Sequence, residues 1–104
     1  LAEVVLMVGG VDIQSFELLE GRAMIGRSSR AHIRLSDDTV SAKHAVIEMV
    51  RDRHEASNCQ FYLQDLCSTN GTRIEFQDVR RALLRDGDVI QVGWQQLRFA
   101  SPEL

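Results

Sequence analysis

No segment of this chain repeats apolar residues at the 3.6-residue period that a stable helix needs. Its apolar residues fall instead into short runs, several alternating with polar residues, separated by Gly, Asp, Asn and Ser. That pattern predicts strands at Glu3–Val8, Ile13–Leu19, Arg22–Gly26, His32–Leu35, His44–Val50, Phe61–Leu66, Thr72–Phe76, Asp88–Val92 and Gln95–Ala100. The loop Gly9–Asp12 and the pair Gly93-Trp94 are expected to close hairpins, with Trp94 packed into its own. Only Val79–Leu84 has the look of a helical turn, and it is too short to stand alone. Nine or ten short strands with regular turn signals make a β-sandwich or barrel. Met7, Met24 and Met49 fall on predicted strands and are expected in its core.

A chain of 104 residues has room for one domain, spanning 1–104. It begins with Leu1 rather than Met, as expected of a domain excised from a longer protein, and it carries no signal-peptide pattern. No run approaches the roughly 18 apolar residues of a membrane span. The polar stretch Arg51–Asn58 reads as a solvated loop and the expected site of disorder, and Pro102, past the last strand, begins a linker. A net charge of −3 argues against nucleic-acid binding by bulk charge. Eleven Arg against the single Lys43 point to a bacterial source. Cys59 and Cys67 have neither CxxC spacing nor a His pair nearby, so no metal site is expected, and reduced thiols suit the cytoplasm.

Polar turn residues concentrate in three loops: Gly26-Arg27-Ser28-Ser29-Arg30, Asp37 to His44, and Ser68-Thr69-Asn70-Gly71-Thr72. They offer guanidinium, hydroxyl, ammonium and amide donors, and no paired acids beside a nucleophile. Convergent donors on loops at one end of a rigid sandwich make an anion site. Asp37-Asp38 reads as a solvated turn. Ser41 and His44 lie three residues apart, but nothing supplies the third group of a hydrolytic triad, so an enzyme is not expected.

Gly26-Arg27, then Ser41-x-x-His44, then Ser68-Thr69-Asn70-Gly71-Thr72 resemble the motifs of a forkhead-associated (FHA) domain. Ile33-Arg34-Leu35, Asp65-Leu66 and Leu84-x-x-Gly87-Asp88-x-Ile90-x-x-Gly93 extend the resemblance over about Arg22 to Phe99. The resemblance implies an all-β sandwich of two antiparallel sheets with about 10–11 short strands. It implies recognition of a phosphothreonine peptide, in a partner protein or a segment of the parent chain, downstream of a Ser/Thr kinase. No cofactor, nucleic acid or membrane is implied.

Carried over by position, Arg27, Ser41 and Thr69 match residues at the phosphate, and Asn70 matches the amide that grips the peptide backbone. Gly26, His44 and Gly71 match architectural positions; Ser28, Arg30 and Lys43 are additional candidate contacts. A phosphothreonine carries about −1.5 to −2 charges, and each charge-assisted bond to it contributes roughly 1.5–3 kcal/mol. The position after the pocket serine is commonly Arg or Asn in the family and is Ala42 here. That departure makes a phosphate-independent scaffold or oligomerisation module the alternative reading. A second departure is Arg73–Asp78, which replaces the Asn-Gly turn the family often carries there.

Overall fold

The described residues, 2–19, 21–51, 54 and 59–101, form eleven strands in the computed structural model, four of whose connections are only two residues long. They are β1 (Glu3–Val8), β2 (Val11–Glu17), β3 (Arg22–Gly26), β4 (Ile33–Arg34), β5 (Ala45–Arg51) and β6 (Cys59–Asp65). Then come β7 (Thr72–Ile74), β8 (Gln77–Asp78), β9 (Arg81–Leu83), β10 (Val89–Val92) and β11 (Gln95–Ala100). One sheet has the order β2-β1-β11-β10-β7-β8, the other β4-β3-β5-β6-β9. All ladders are antiparallel except the two-residue pairing of β3 with β4, where Ile25 faces Ile33. The expected disorder at Arg51–Asn58 and the linker at Pro102 fall largely outside the described residues.

Alternation along the strands builds the core. Val4 of β1, Leu97 and Phe99 of β11, and Ile90 and Val92 of β10 point inward from the first sheet, each at most 1% exposed. Ile25 of β3, Ala45 and Ile47 of β5 and Leu63 of β6 meet them from the second. Phe61 and Phe99 join the two layers, ring centroids 5.4 Å apart at 55°. Fully burying a side chain of this size is worth about 1.5–3 kcal/mol, so these positions hold the sheets together. Met49 packs against this core, whereas Met24 is only half-buried and Met7 accepts a contact from Arg98 Nη1 at 3.4 Å.

Turn chemistry explains most differences from the predicted boundaries. The first hairpin closes in two residues, Gly9 and Gly10, both at positive φ (59° and 79°), so β2 begins at Val11 rather than Ile13. Both central residues at positive φ are the signature of a type I′ turn, whose twist suits paired strands. The same geometry recurs between β7 and β8, where Glu75 (φ 48°) and Phe76 (φ 68°) adopt it without glycine. That turn cuts the expected strand Thr72–Phe76 short at Ile74 and creates β8, which the sequence does not signal. Arg81–Leu83, expected in a helical turn, is instead a strand paired with Tyr62–Gln64.

Candidate functional site

The three donor-rich loops meet at one end of the sandwich because three close approaches weld them together. The first lies under Gly26, the last residue of β3. A Cβ there would sit 2.1 Å from the Ala42 carbonyl oxygen, so only glycine lets the β4–β5 connection pass so near. Beside it Arg27 N donates to Ser41 O at 3.0 Å and Ser28 N to Ala42 O at 3.1 Å.

His44 makes the second weld. It is fully buried, its Nδ1 accepts from Ser41 N at 3.0 Å, and its Nε2 lies 2.8 Å from Gly71 O. An accepting Nδ1 leaves the proton on Nε2, which therefore donates to the Gly71 carbonyl. One neutral imidazole thus ties the serine loop to the asparagine loop. Both ring nitrogens are occupied in these bonds, so the histidine is not a base for the Ser41 hydroxyl.

The third braces the asparagine loop from within, through Asp65, which the sequence offered only as part of Asp65-Leu66. Asp65 Oδ1 accepts from the hydroxyls of Ser68 (2.6 Å) and Thr72 (2.7 Å), and its Oδ2 accepts from Ser68 N (3.2 Å). Burial pushes the Asp65 carboxyl up, but the bonds from Ser68 and Thr72 outweigh it and hold the group below its ordinary range. Ser68 Oγ in turn accepts from Gly71 N at 3.0 Å. Asp37, expected in a solvated turn, accepts from Thr39 N at 2.8 Å, from the Thr39 hydroxyl, and from Gln95 Nε2 at 2.8 Å. The Thr39 bonds are the main reason its carboxyl is also lowered. In both cases an acid followed within a few residues by Ser or Thr was the available signal.

These welds present the predicted site residues. Arg27 is exposed and its Nε donates to Val40 O at 3.0 Å. That bond aims the guanidinium, whose terminal nitrogens have no other partner among the described residues. Ser41 is half-buried, and its Oγ accepts from Thr69 N at 3.0 Å, which leaves the hydroxyl proton free to donate. Asn70 is exposed with Nδ2 donating to Thr39 O at 2.8 Å, and its Oδ1, an acceptor, has no partner among the described residues. Gly71 carries the positive φ (85°) expected of the turn, while Cys67 (φ 54°) does so without a sequence signal.

The additional candidates divide. Ser28 Oγ is occupied as a turn cap, accepting from Arg30 N at 3.1 Å. Arg30 and Lys43 are exposed beside the loops. Arg34 joins them, its Nε donating to Arg27 O at 3.3 Å, and adds a guanidinium at the same edge. Ala42 contributes its carbonyl to Ser28 and nothing from its side chain.

A loop cluster assembled in this way has known counterparts. The model of the FHA domain matches residues 23–93. This chain belongs to the FHA family. FhaA of Mycobacterium tuberculosis, an FHA domain-containing protein, is 38% identical over 84 residues, 81% of this chain and 15% of FhaA. The glycogen accumulation regulator GarA of the same species is 35% identical over 74 residues, 71% of this chain and 41% of GarA. The chain therefore spans less than half the length of these curated relatives.

Among solved structures, an FHA domain studied for phosphothreonine-dependent interactions superposes with a TM-score of 0.83 at 33% identity, covering 99% of this chain and 98% of its own. The FhaA FHA domain complexed with the intracellular domain of Rv3910 gives 0.79 at 34%, covering 94% and 98%. FHA domains are interaction modules, and among the described residues of this chain no helix is long and apolar enough to cross a membrane.

Proposed function

We propose that this domain docks phosphothreonine-containing segments of proteins and catalyses nothing. The carrying observation is that Arg27, Ser41, Thr69 and Asn70 arrive on one loop cluster with unspent hydrogen-bonding capacity, each oriented by a bond to another loop. The Arg27 guanidinium and the Ser41 hydroxyl supply donors to phosphate oxygens. The exposed Thr69 hydroxyl adds one beside them. Asn70 grips the peptide main chain with its free acceptor and the remaining N–H of its amide.

Exposed Arg30, Arg34 and Lys43 extend the positive field that attracts a dianionic phosphate. Two or three charge-assisted bonds, less the cost of association, suit a micromolar, reversible contact. The same reading puts a Ser/Thr kinase upstream and the domain in the cytoplasm with it, as one module, 1–104, of a longer bacterial protein.

Fluorescence polarisation with matched phosphorylated and unphosphorylated peptides tests the proposal. Binding restricted to the phosphorylated set is expected, and Arg27→Ala and Ser41→Ala should each weaken it at least tenfold with the fold retained, since one charge-assisted bond is worth about 1.5–3 kcal/mol. Equal binding of both sets would favour a phosphate-independent scaffold.

A further inference from the structure

Trp94 was expected to pack into its hairpin and does not. It is 64% exposed, at the second position of the two-residue turn between β10 and β11. Its backbone is nonetheless held rigidly. A Cβ on the preceding Gly93 would lie 2.4 Å from Thr39 O, so the turn is seated directly on Thr39, and Trp94 N donates to Thr39 Oγ1 at 2.9 Å. The carbonyl of the same threonine accepts from Asn70 Nδ2 at 2.8 Å. Thr39 thus holds the Asn70 amide with its carbonyl and the main chain of the exposed Trp94 with its hydroxyl.

We propose that Trp94 is a specificity-determining residue whose ring receives an apolar side chain of the bound peptide, close to the phosphothreonine. The proposal rests on the phosphothreonine reading above. Asn70 Nδ2 and Trp94 N bond to the same threonine, and an extended peptide advances about 3.3 Å per residue, so a chain that is gripped at Asn70 and runs toward Trp94 needs only about four residues to reach it.

Two further exposed apolar residues lie on the neighbouring strands. Met7 pairs with Gln96, which brings Val8 alongside Gln95, the residue after Trp94. Val8 and its partner Val11 are 55% and 60% exposed. A shelf of one ring and two valines would offer a few hundred Å² at most, well short of the roughly 800 Å² per partner of a stable dimer. Its size suits a peptide side chain rather than a second copy. An indole has only two side-chain torsions to lose when it is covered, and tryptophan is enriched among the residues that carry such contacts.

Trp94 is the only tryptophan in the chain, so its emission reports on this position alone. The domain is titrated with phosphothreonine peptides in which a single leucine moves through four positions on either side of an alanine background. At one position leucine should tighten binding about five- to tenfold and shift the emission to shorter wavelength. Trp94→Ala should lose that gain while keeping dependence on phosphorylation, and Trp94→Phe should keep both. The Thr39 bond uses the main-chain N–H, so Trp94→Ala retains it.

The proposal is overturned if no leucine position alters affinity or emission at saturation, or if the gain survives in Trp94→Ala. A shift that grows with protein concentration in the absence of peptide would assign the shelf to a second copy and also overturn it. Loss of phosphorylation dependence across the whole series would overturn the phosphothreonine reading instead.

Discussion

Replacing Gly26 by alanine adds one methyl group where the molecule has no room for it. The new Cβ would lie 2.1 Å from the Ala42 oxygen, 2.9 Å from its carbonyl carbon and 3.2 Å from the Ser41 oxygen, all of them main chain. No side chain can swing aside, so the β4–β5 connection must retreat by roughly an ångström to approach normal contact. The retreat strains the bonds from Arg27 N (3.0 Å) and Ser28 N (3.1 Å), worth about 1 kcal/mol each. Overpacking adds about 1–3 kcal/mol.

A loss of about 2–4 kcal/mol is therefore expected, a large share of the 5–15 kcal/mol typical of a domain. For a chain of this size that lowers the Tm by roughly 10–20 °C. The retreat also carries Ser41 away from Arg27, so phosphopeptide affinity should fall at least tenfold even at temperatures where the variant is folded. Thermal and urea unfolding followed by circular dichroism measure the first effect, and polarisation at 10 °C the second. A Tm within 2 °C of the parent together with an unchanged Kd would show that the loop yields freely and would refute the reasoning.

Two further outcomes follow from the same geometry. Phe76 is 79% exposed at φ 68°, so Phe76→Asn gives up little packing and places a residue tolerant of that conformation there. A gain of about 1 kcal/mol in urea unfolding is expected, and a loss would show that the ring stabilises the turn. Asp65 has a folded-state pKa below its ordinary 3.8, so its contribution is fully present above about pH 4 and disappears as pH falls through the folded value. Asp65→Asn should be less stable than the parent at pH 7, and the difference should shrink toward pH 2. A constant difference across that range would remove the carboxylate from the account.

The strand frame was legible because alternation is a local property. Short apolar runs bounded by turn residues are local as well, and β1, β3 and β11 stand where such runs placed them. Turn residues were legible where glycine announced them, as at Gly9-Gly10 and Gly71, and illegible where Glu75-Phe76 and Cys67 adopt the same backbone without it. β9 was illegible because one exposed and two half-buried residues have no period of their own, and only pairing with Tyr62–Gln64 makes them a strand.

The chemistry of the site divides in the same way. The kinds of donor, Arg27, Ser41, Thr69 and Asn70, and their gathering on three loops belong to the sequence alone, because side-chain chemistry does not depend on the fold. Their usable geometry does depend on it. Val40 aims Arg27 from 13 residues away, Thr69 N points at Ser41 from 28, and Thr39 holds Asn70 from 31 and Trp94 from 55. Hydrogen bonds over such separations exist only after two sheets have packed and brought their loops to one end. The tertiary structure therefore decided which groups remain free for a ligand and which, like both nitrogens of His44, are spent on holding the site together.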